Sequence, residues 1–390
     1  MHDRKLLGTA NVSDQTLTQL IAELLHEPPE RVTLVSADVE LVAYDIPAIT
    51  TAGRYWVHGH AMVAGEPQRY SFFVKHVQSW SRSPLFAQVP EESAAMAEAS
   101  VPWRIEPLVY RSNLGQILPH GLRMPRALGV FDLDAKSASI WLEQIRTVPA
   151  IWDVDRYSQA AYLLGRLAAN PRVRERANVG EFPWTVLDYV QGRLQNQVIP
   201  LLRDSGLWCH PLVSGAFNDS LRIRLQESAN RVHELVDELI ALPLGSVHGD
   251  ACPNNLLVTA DEEGFVLIDY GFFGEGPVGF DLGQLLVGEI QLGRQGVPSL
   301  ETIDEAILPS YVDGLRAEGS EISLDTVRRA HALHLMLYTG LSTVPFEHLG
   351  EATTPALQQL SADRAAIARF SISLLDATET TSGGALGPNF

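Results

Sequence analysis

The chain is 390 residues long, 46% hydrophobic and 19% charged, with a formal net charge of −18. Such a chain can bury substantial cores, its length favours two lobes or domains, and it is too poor in charge to be a disordered polymer. The acidic balance argues against a general nucleic-acid binder, whose phosphate partners demand Lys and Arg, and no run of about 18 apolar residues marks a membrane span.

Asp3, Arg4 and Lys5 precede only a brief apolar stretch, which makes a poor signal peptide. Ser13 to Leu25 then places Leu17, Leu20, Ile21, Leu24 and Leu25 at helical spacing, predicting an amphipathic opening helix. Four strands are predicted next: Val32–Val35, Leu41–Tyr44, Tyr55–Val57 and Tyr70–Val77. Between the second and third lies the turn Ile46 to Arg54, which holds a single Gly and no G-x-G-x-x-G pattern. His58 and His60 share a strand face and could ligate a metal, but no third ligand stands nearby. The chain has only three lysines, Lys5, Lys75 and Lys136, and none follows a Gly, which excludes a P-loop. Lys75 lies inside the aromatic and β-branched strand, where a compact ammonium suits a phosphate contact.

Glu98 sits in an Ala-rich stretch, and Glu106 follows in an apolar setting just before Pro107. Proline disfavours helix at the residue before it but is tolerated in a first turn, so either Glu could partner Lys75. Ser139 to Ile145 reads as a last strand that runs into a connector, Thr147-Val148-Pro149. Beyond it the pattern turns helical at 157–169, 184–202, 221–242, 323–341 and 355–375. Residues 377–390 are Ser/Thr/Gly-rich and expected to be loose. The two cysteines, Cys209 and Cys252, can build neither a disulfide framework nor a Cys-based zinc site, so a cytoplasmic, reducing setting is expected.

The most informative stretch is His248-Gly249-Asp250-Ala251-Cys252-Pro253-Asn254-Asn255, followed by Val266-Leu267-Ile268-Asp269-Tyr270-Gly271. Phosphoryl transfer asks a protein for alignment and charge neutralisation rather than covalent work. Asp250 is spaced to receive the proton of an acceptor hydroxyl. Asn255, five residues on, and Asp269, at the end of an apolar strand, can supply oxygen ligands to magnesium. Leu256–Val258 and Phe265–Ile268 read as a hairpin around Asp261-Glu262-Glu263-Gly264 that would return Asp269 to Asn255. Cys252 reads as a small packing residue. Any one of these acids could merely build an Asx turn; the set at these intervals points to a site.

This signature resembles that of the aminoglycoside phosphotransferase and choline-kinase superfamily, a branch of the protein-kinase-like fold. Gly249 after His248 matches its small-molecule branch. The resemblance is strongest over 246–285. It implies an α+β, bilobal fold: a small β-rich N-lobe (1–141), a hinge (142–149), and a larger, mostly helical C-lobe (150–376). It implies Asp250 as base with His248 beside it, Asn255 and Asp269 as magnesium ligands, and Asp281 as a structural acid at the start of the next helix. Lys75 would meet the ATP phosphates, with Glu106 or Glu98 as its partner. The turn 46–54 would cover the nucleotide, and backbone groups of Glu143, Gln144 and Ile145 would lie near the adenine. Acceptor contacts in the family come largely from the C-lobe, so Glu301, Asp304 and Glu305 are candidate acceptor residues, though an acidic helix face can equally be solvated.

The expectation is an ATP- and magnesium-dependent kinase acting on a hydroxyl of an aminoglycoside-like or other hydroxylated natural product. A metabolic sugar or amino-alcohol kinase of the same fold is the alternative. A metal-dependent phosphohydrolase would leave Lys75 and Asn255 unexplained, and a nucleotide-binding protein without transferase activity would not need the full set.

Overall fold

A computed structural model describes residues 4–43, 49–179, 184–260 and 264–382. The opening helix α1 (Asp14–Leu24) is capped by the Ser13 hydroxyl, which accepts from the Thr16 amide. It lays Leu17, Leu20 and Ile21 onto a sheet formed by β1 (Val32–Leu41), β2 (Thr51–Val63) and β3 (Glu66–Gln78). The strand predicted at 32–35 continues to Leu41 as β1, with an irregularity between Leu34 and Ser36. Of the strand predicted at 41–44 only Leu41 is strand, Val42 and Ala43 are not, and Tyr44 lies outside the described residues. The polar residues Ser36, Asp38 and Glu40 alternate along this edge strand rather than interrupting it. Of the covering turn expected at 46–54, residues 46–48 lie outside the described residues, and Thr51 to Arg54 are not turn but the start of β2, paired with β3.

Helix α2 (Ile105–Arg111) follows, then the short β4 (Leu122–Arg123), β5 (Ala127–Asp134) and β6 (Ser137–Glu143). The five-stranded sheet runs β1-β2-β3-β6-β5, antiparallel throughout. In β3, Phe72 and Val74 point into the core beneath α1, which puts Phe73 and Lys75 on the opposite face.

The helical lobe begins with α3 (Val154–Ala169), capped by Asp153. The predicted helix 184–202 runs from 186 to 203 and passes through wider π-type turns at Val190–Val198. The one predicted at 221–242 is two helices, α4 (Asp219–Asn230) and α5 (Val232–Ile240), because Arg231 leaves helical geometry. Strand β7 (Leu244–Val247), the hairpin of β8 (Leu256–Leu257) and β9 (Phe265–Leu267), and β10 (Gly274–Pro277) carry the catalytic-loop region. The turn at 261–263 lies outside the described residues. Helices α6 (Phe280–Gln291), α7 (Leu300–Ala317), α8 (Leu324–His334) and α9 (Pro355–Ser382) complete the lobe.

Helix α9 continues past the expected boundary at 376. Arg224 pairs with Asp376 at 2.7 Å, Arg231 with Glu379 at 2.8 Å, and Thr378 accepts from Arg329. Tertiary ion pairs hold this last stretch, so its Ser/Thr composition misleads; of the predicted loose tail, residues 383–390 lie outside the described residues.

Candidate active site

Strand β7 delivers the chain to His248, whose ring is fully buried with Nε2 at 3.0 Å from the Ile268 carbonyl. Burial pushes its pKa down to about 4, so the ring is neutral and donates that bond. It ties the loop to the strand that carries Asp269. Expected beside the base as part of the chemistry, His248 instead points into the protein and positions the two segments.

Gly249 follows at φ 86°, and a Cβ there would sit 2.3 Å from the Phe272 carbonyl oxygen, so only glycine fits. The amides of His248 and Gly249 donate to the two carboxylate oxygens of Asp281, at 2.9 and 2.8 Å. Asp281 therefore fixes the loop from beneath, from the first turn of α6. Burial pushes its carboxyl up to about 6 although those two amides pull it down.

Asp250 comes next, half-buried. Its main-chain oxygen and Oδ2 accept from Asn255 Nδ2 at 2.8 and 3.0 Å. Its Oδ1 meets only the thiol of Cys252, at 3.7 Å. Desolvation and the charge of Asp269 raise the carboxyl to about 6. A desolvated carboxylate of this kind is a stronger base than a surface one and still ionised at neutral pH. Cys252 is a packing residue, 7% exposed, and also a weak donor to the base.

Asp269 adopts a left-handed conformation, φ 64° and ψ 63°, which swings its carboxylate toward the sheet. Its Oδ1 accepts from Lys75 Nζ at 2.8 Å, and the same ammonium pairs with Glu106 Oε2 at 2.6 Å. Lys75 and Glu106 are 5% and 4% exposed, so neither charge is solvated. Burial opposes the charge on Lys75, but Asp269 and Glu106 outweigh it and hold the ammonium above its ordinary value. Burial likewise opposes ionisation of Asp269, and Lys75 more than offsets it.

Glu106 reaches Lys75 because α2 starts at Ile105, which puts Pro107 in the first turn, where its missing N–H costs nothing. Glu98 is engaged elsewhere: it pairs with Lys136 at 2.7 Å and accepts from Ser79 and Ser81.

The connector after β6 passes beside the hairpin, with Val148 N donating to Val258 O at 3.0 Å. Glu143 is spent on β5, its amide donating to Arg126 O and its carboxylate accepting from Arg126 N. Among the described residues no backbone hydrogen bond engages Gln144 or Ile145, which leaves those groups open to a ligand.

The donor set fits a hard cation. Because Asn255 spends its amide nitrogen on Asp250, its Oδ1 turns away and meets only Asn254 Nδ2, at 3.4 Å. That oxygen and the Asp269 carboxylate are the oxygen ligands magnesium prefers. Among the described residues no group of three or more His, Cys, Asp or Glu could hold a metal unaided. A cation here would complete its shell with water or with oxygens of a ligand.

The acidic patch does not join this cluster. Asp304 turns inward to His331 Nε2 at 2.9 Å, while Glu301 and Glu305 are exposed on α7, whose contacts are with α3, α6 and α8. Helix packing, which the charge pattern does not reveal, decides which face α7 shows. His58 lies 3.7 Å from Glu40 on the sheet, with no third ligand among the described residues. Arg54, half-buried opposite Lys75, was not singled out from sequence; extending the strand alternation one residue back from Tyr55 would have found it.

Two lobes around buried acids, an amide and a lysine make a kinase-like architecture. Residues 154–316, from α3 through α7, match the model of the phosphotransferase enzyme family. No curated protein matches the sequence. Among solved structures the chain is similar to an amicoumacin kinase in complex with AMP-PNP and Ca2+, at 14% identity over 96% of each chain and a TM-score of 0.45. It is also similar to aminoglycoside phosphotransferases from Streptomyces rimosus and Alicyclobacillus acidocaldarius. The first is 18% identical over 76% of this chain and 90% of that one, with a TM-score of 0.39. The second is 16% identical over 87% and 92%, with a TM-score of 0.44.

Proposed function

We propose that the protein is a magnesium- and ATP-dependent kinase that phosphorylates a hydroxyl of an aminoglycoside-like or other hydroxylated natural product. One observation supports this above all: Lys75 from β3, Glu106 from α2, Asp250 and Asn255 from the loop, and Asp269 after β9 converge in one cluster. In this reading Asp269 and Asn255 hold the metal, Lys75 binds phosphate, and Glu106 keeps Lys75 in place. Bound Mg·ATP supplies the phosphoryl group and neutralises part of its charge. Asp250 orients the acceptor hydroxyl through Oδ1 and takes its proton, while Asn255 fixes the other oxygen so that only one face of the carboxylate is offered. Asp281 and His248 hold the loop rigid, so the base is aligned before substrate arrives.

The acceptor class follows the family resemblance. Since Asp304 is committed to His331, α7 gives no support to an amine-bearing acceptor in particular, and the site's own chemistry asks only for a hydroxyl. A sugar or amino-alcohol kinase of metabolism is the second reading. Incubating the protein with Mg·ATP and a panel of aminoglycosides, other hydroxylated antibiotics, amino alcohols and sugars, then seeking a phosphorylated product by mass spectrometry, separates the two. A phosphorylated antibiotic supports the first reading and a phosphorylated metabolite the second. Hydrolysis of ATP to free phosphate regardless of acceptor would instead favour a phosphohydrolase.

A further inference from the structure

Strand β2 begins at Thr51, within the stretch 46–54 expected to cover the nucleotide, and Arg54 is its fourth residue. In the antiparallel register of β2 and β3, Arg54 stands opposite Lys75. Opposed residues project from the same face with Cβ atoms about 5 Å apart. The flanking burial agrees: Tyr55 and Val57 are buried beneath α1, whereas Arg54 and Trp56 are half-buried on the other face. Guanidinium and ammonium therefore share the face that looks onto Asp269 and Glu106. The charge of Arg54 reaches both carboxylates and holds each lower than it would otherwise be.

Charge balance gives this arrangement a purpose. Asp250, Asp269 and Glu106 set three carboxylates against the two cations Lys75 and Arg54, and a nucleotide triphosphate would bring still more negative charge to the same place. Many phosphate sites answer with a glycine-rich turn whose successive backbone amides form an anion nest. Here the sequence from Ile46 to Gly53 contains one glycine, and that glycine already lies in β2, so a nest of that kind is poorly provided for. A guanidinium on the adjoining strand supplies the missing donors, and its fork suits two phosphate oxygens at once.

We propose that Arg54 is a second phosphate-binding cation of the nucleotide site, gripping the polyphosphate beside Lys75 in place of a glycine-rich backbone cradle. The inference rests on the reading of this cleft as a nucleotide site. It assigns Arg54 to phosphate and not to the base, so its removal acts on the phosphate-dependent part of binding alone.

The test is calorimetric titration of the wild-type chain, Arg54→Gln and Arg54→Lys with Mg·ATP, Mg·ADP and adenosine, after circular dichroism and thermal unfolding of each variant. The proposal expects Arg54→Gln to bind Mg·ATP at least tenfold more weakly than wild type, with adenosine affinity unchanged and Arg54→Lys between the two. Equal Mg·ATP affinity in wild type and Arg54→Gln would overturn it while leaving the kinase reading intact. Equal weakening toward adenosine and Mg·ATP would also overturn it, since Arg54 would then be shaping the fold. Should Arg54→Gln fail to fold, the lysine variant decides, because loss of the fork alone must weaken Mg·ATP and spare adenosine. If the wild-type chain binds Mg·ATP no better than adenosine, the nucleotide reading falls, and the role of Arg54 with it.

Discussion

Asp281 shows how a single buried side chain fixes a whole loop. Its two oxygens receive the amides of His248 and Gly249, and burial raises its carboxyl to about 6. A carboxyl whose folded pKa exceeds its unfolded value holds its proton more tightly when folded. Its contribution to stability is complete below about pH 4 and is lost as pH rises toward 6. Asp281→Asn cannot titrate there, so wild type should lose about 3 kcal/mol relative to the variant between pH 4 and pH 7. Urea unfolding at both pH values checks this, and a pH-independent difference would contradict it. Asp250→Asn keeps the shape of the loop but removes the proposed base, so kcat should drop by about 10²- to 10⁴-fold. Affinity for Mg·ATP should change little by comparison. Asp250, Asn255 and Asp269 were legible in the sequence because their spacing is local to one loop and one hairpin. The inward turn of His248 and the pairing of Asp304 with His331 were not, because each depends on a partner distant in sequence.

Among the elements, strand β3 and helix α2 are coupled through Lys75 and Glu106 at 2.6 Å. Leaving one member of a buried pair uncompensated costs about 3–5 kcal/mol. Glu106→Ala should approach that loss, while Asp269 still holds Lys75 in part and softens it. A parallel Glu98→Ala variant should lose about 1 kcal/mol or less, since its pairing with Lys136 is partly exposed. Comparing the two by thermal unfolding tests which Glu the site depends on. Sequence alone left both open, because Pro107 reads as a helix breaker until α2 is seen to begin two residues before it. Helices α3 and α7 meet where a Cβ on Gly165 would lie 2.1 Å from the Tyr311 carbonyl oxygen. Gly165→Ala should therefore push them apart and destabilise the fold by about 1–3 kcal/mol, measurable in the same melts. Helix periodicity showed that α3 exists but not how closely it packs. The full length of β1 and the extra length of α9 escaped prediction for a related reason: alternating edge polarity and long-range ion pairs carry them, not apolar runs.

At the scale of the molecule, the sheet-bearing and helical lobes meet through more than the connector. Strand β4 pairs in parallel with β9, the strand that leads to Asp269, and the Trp184 indole donates to the Ser100 carbonyl at 3.2 Å. Among the described residues no helix is long and apolar enough to cross a membrane. The division into lobes was visible as a change of period, from strands up to Glu143 to helices from Val154. A ligand that binds the folded chain at about a hundredfold its Kd stabilises it by about 2.7 kcal/mol. Mg·ATP should therefore raise the melting temperature by several degrees, and chelating magnesium should remove most of the gain. The central claim is tested most directly by acceptor-dependent ADP release from Mg·ATP, with wild type and Asp250→Ala run side by side on one panel of hydroxylated compounds. The account predicts that ADP rises with one acceptor class in wild type and stays at background in Asp250→Ala. Equal ADP release by the two proteins with that acceptor would contradict it.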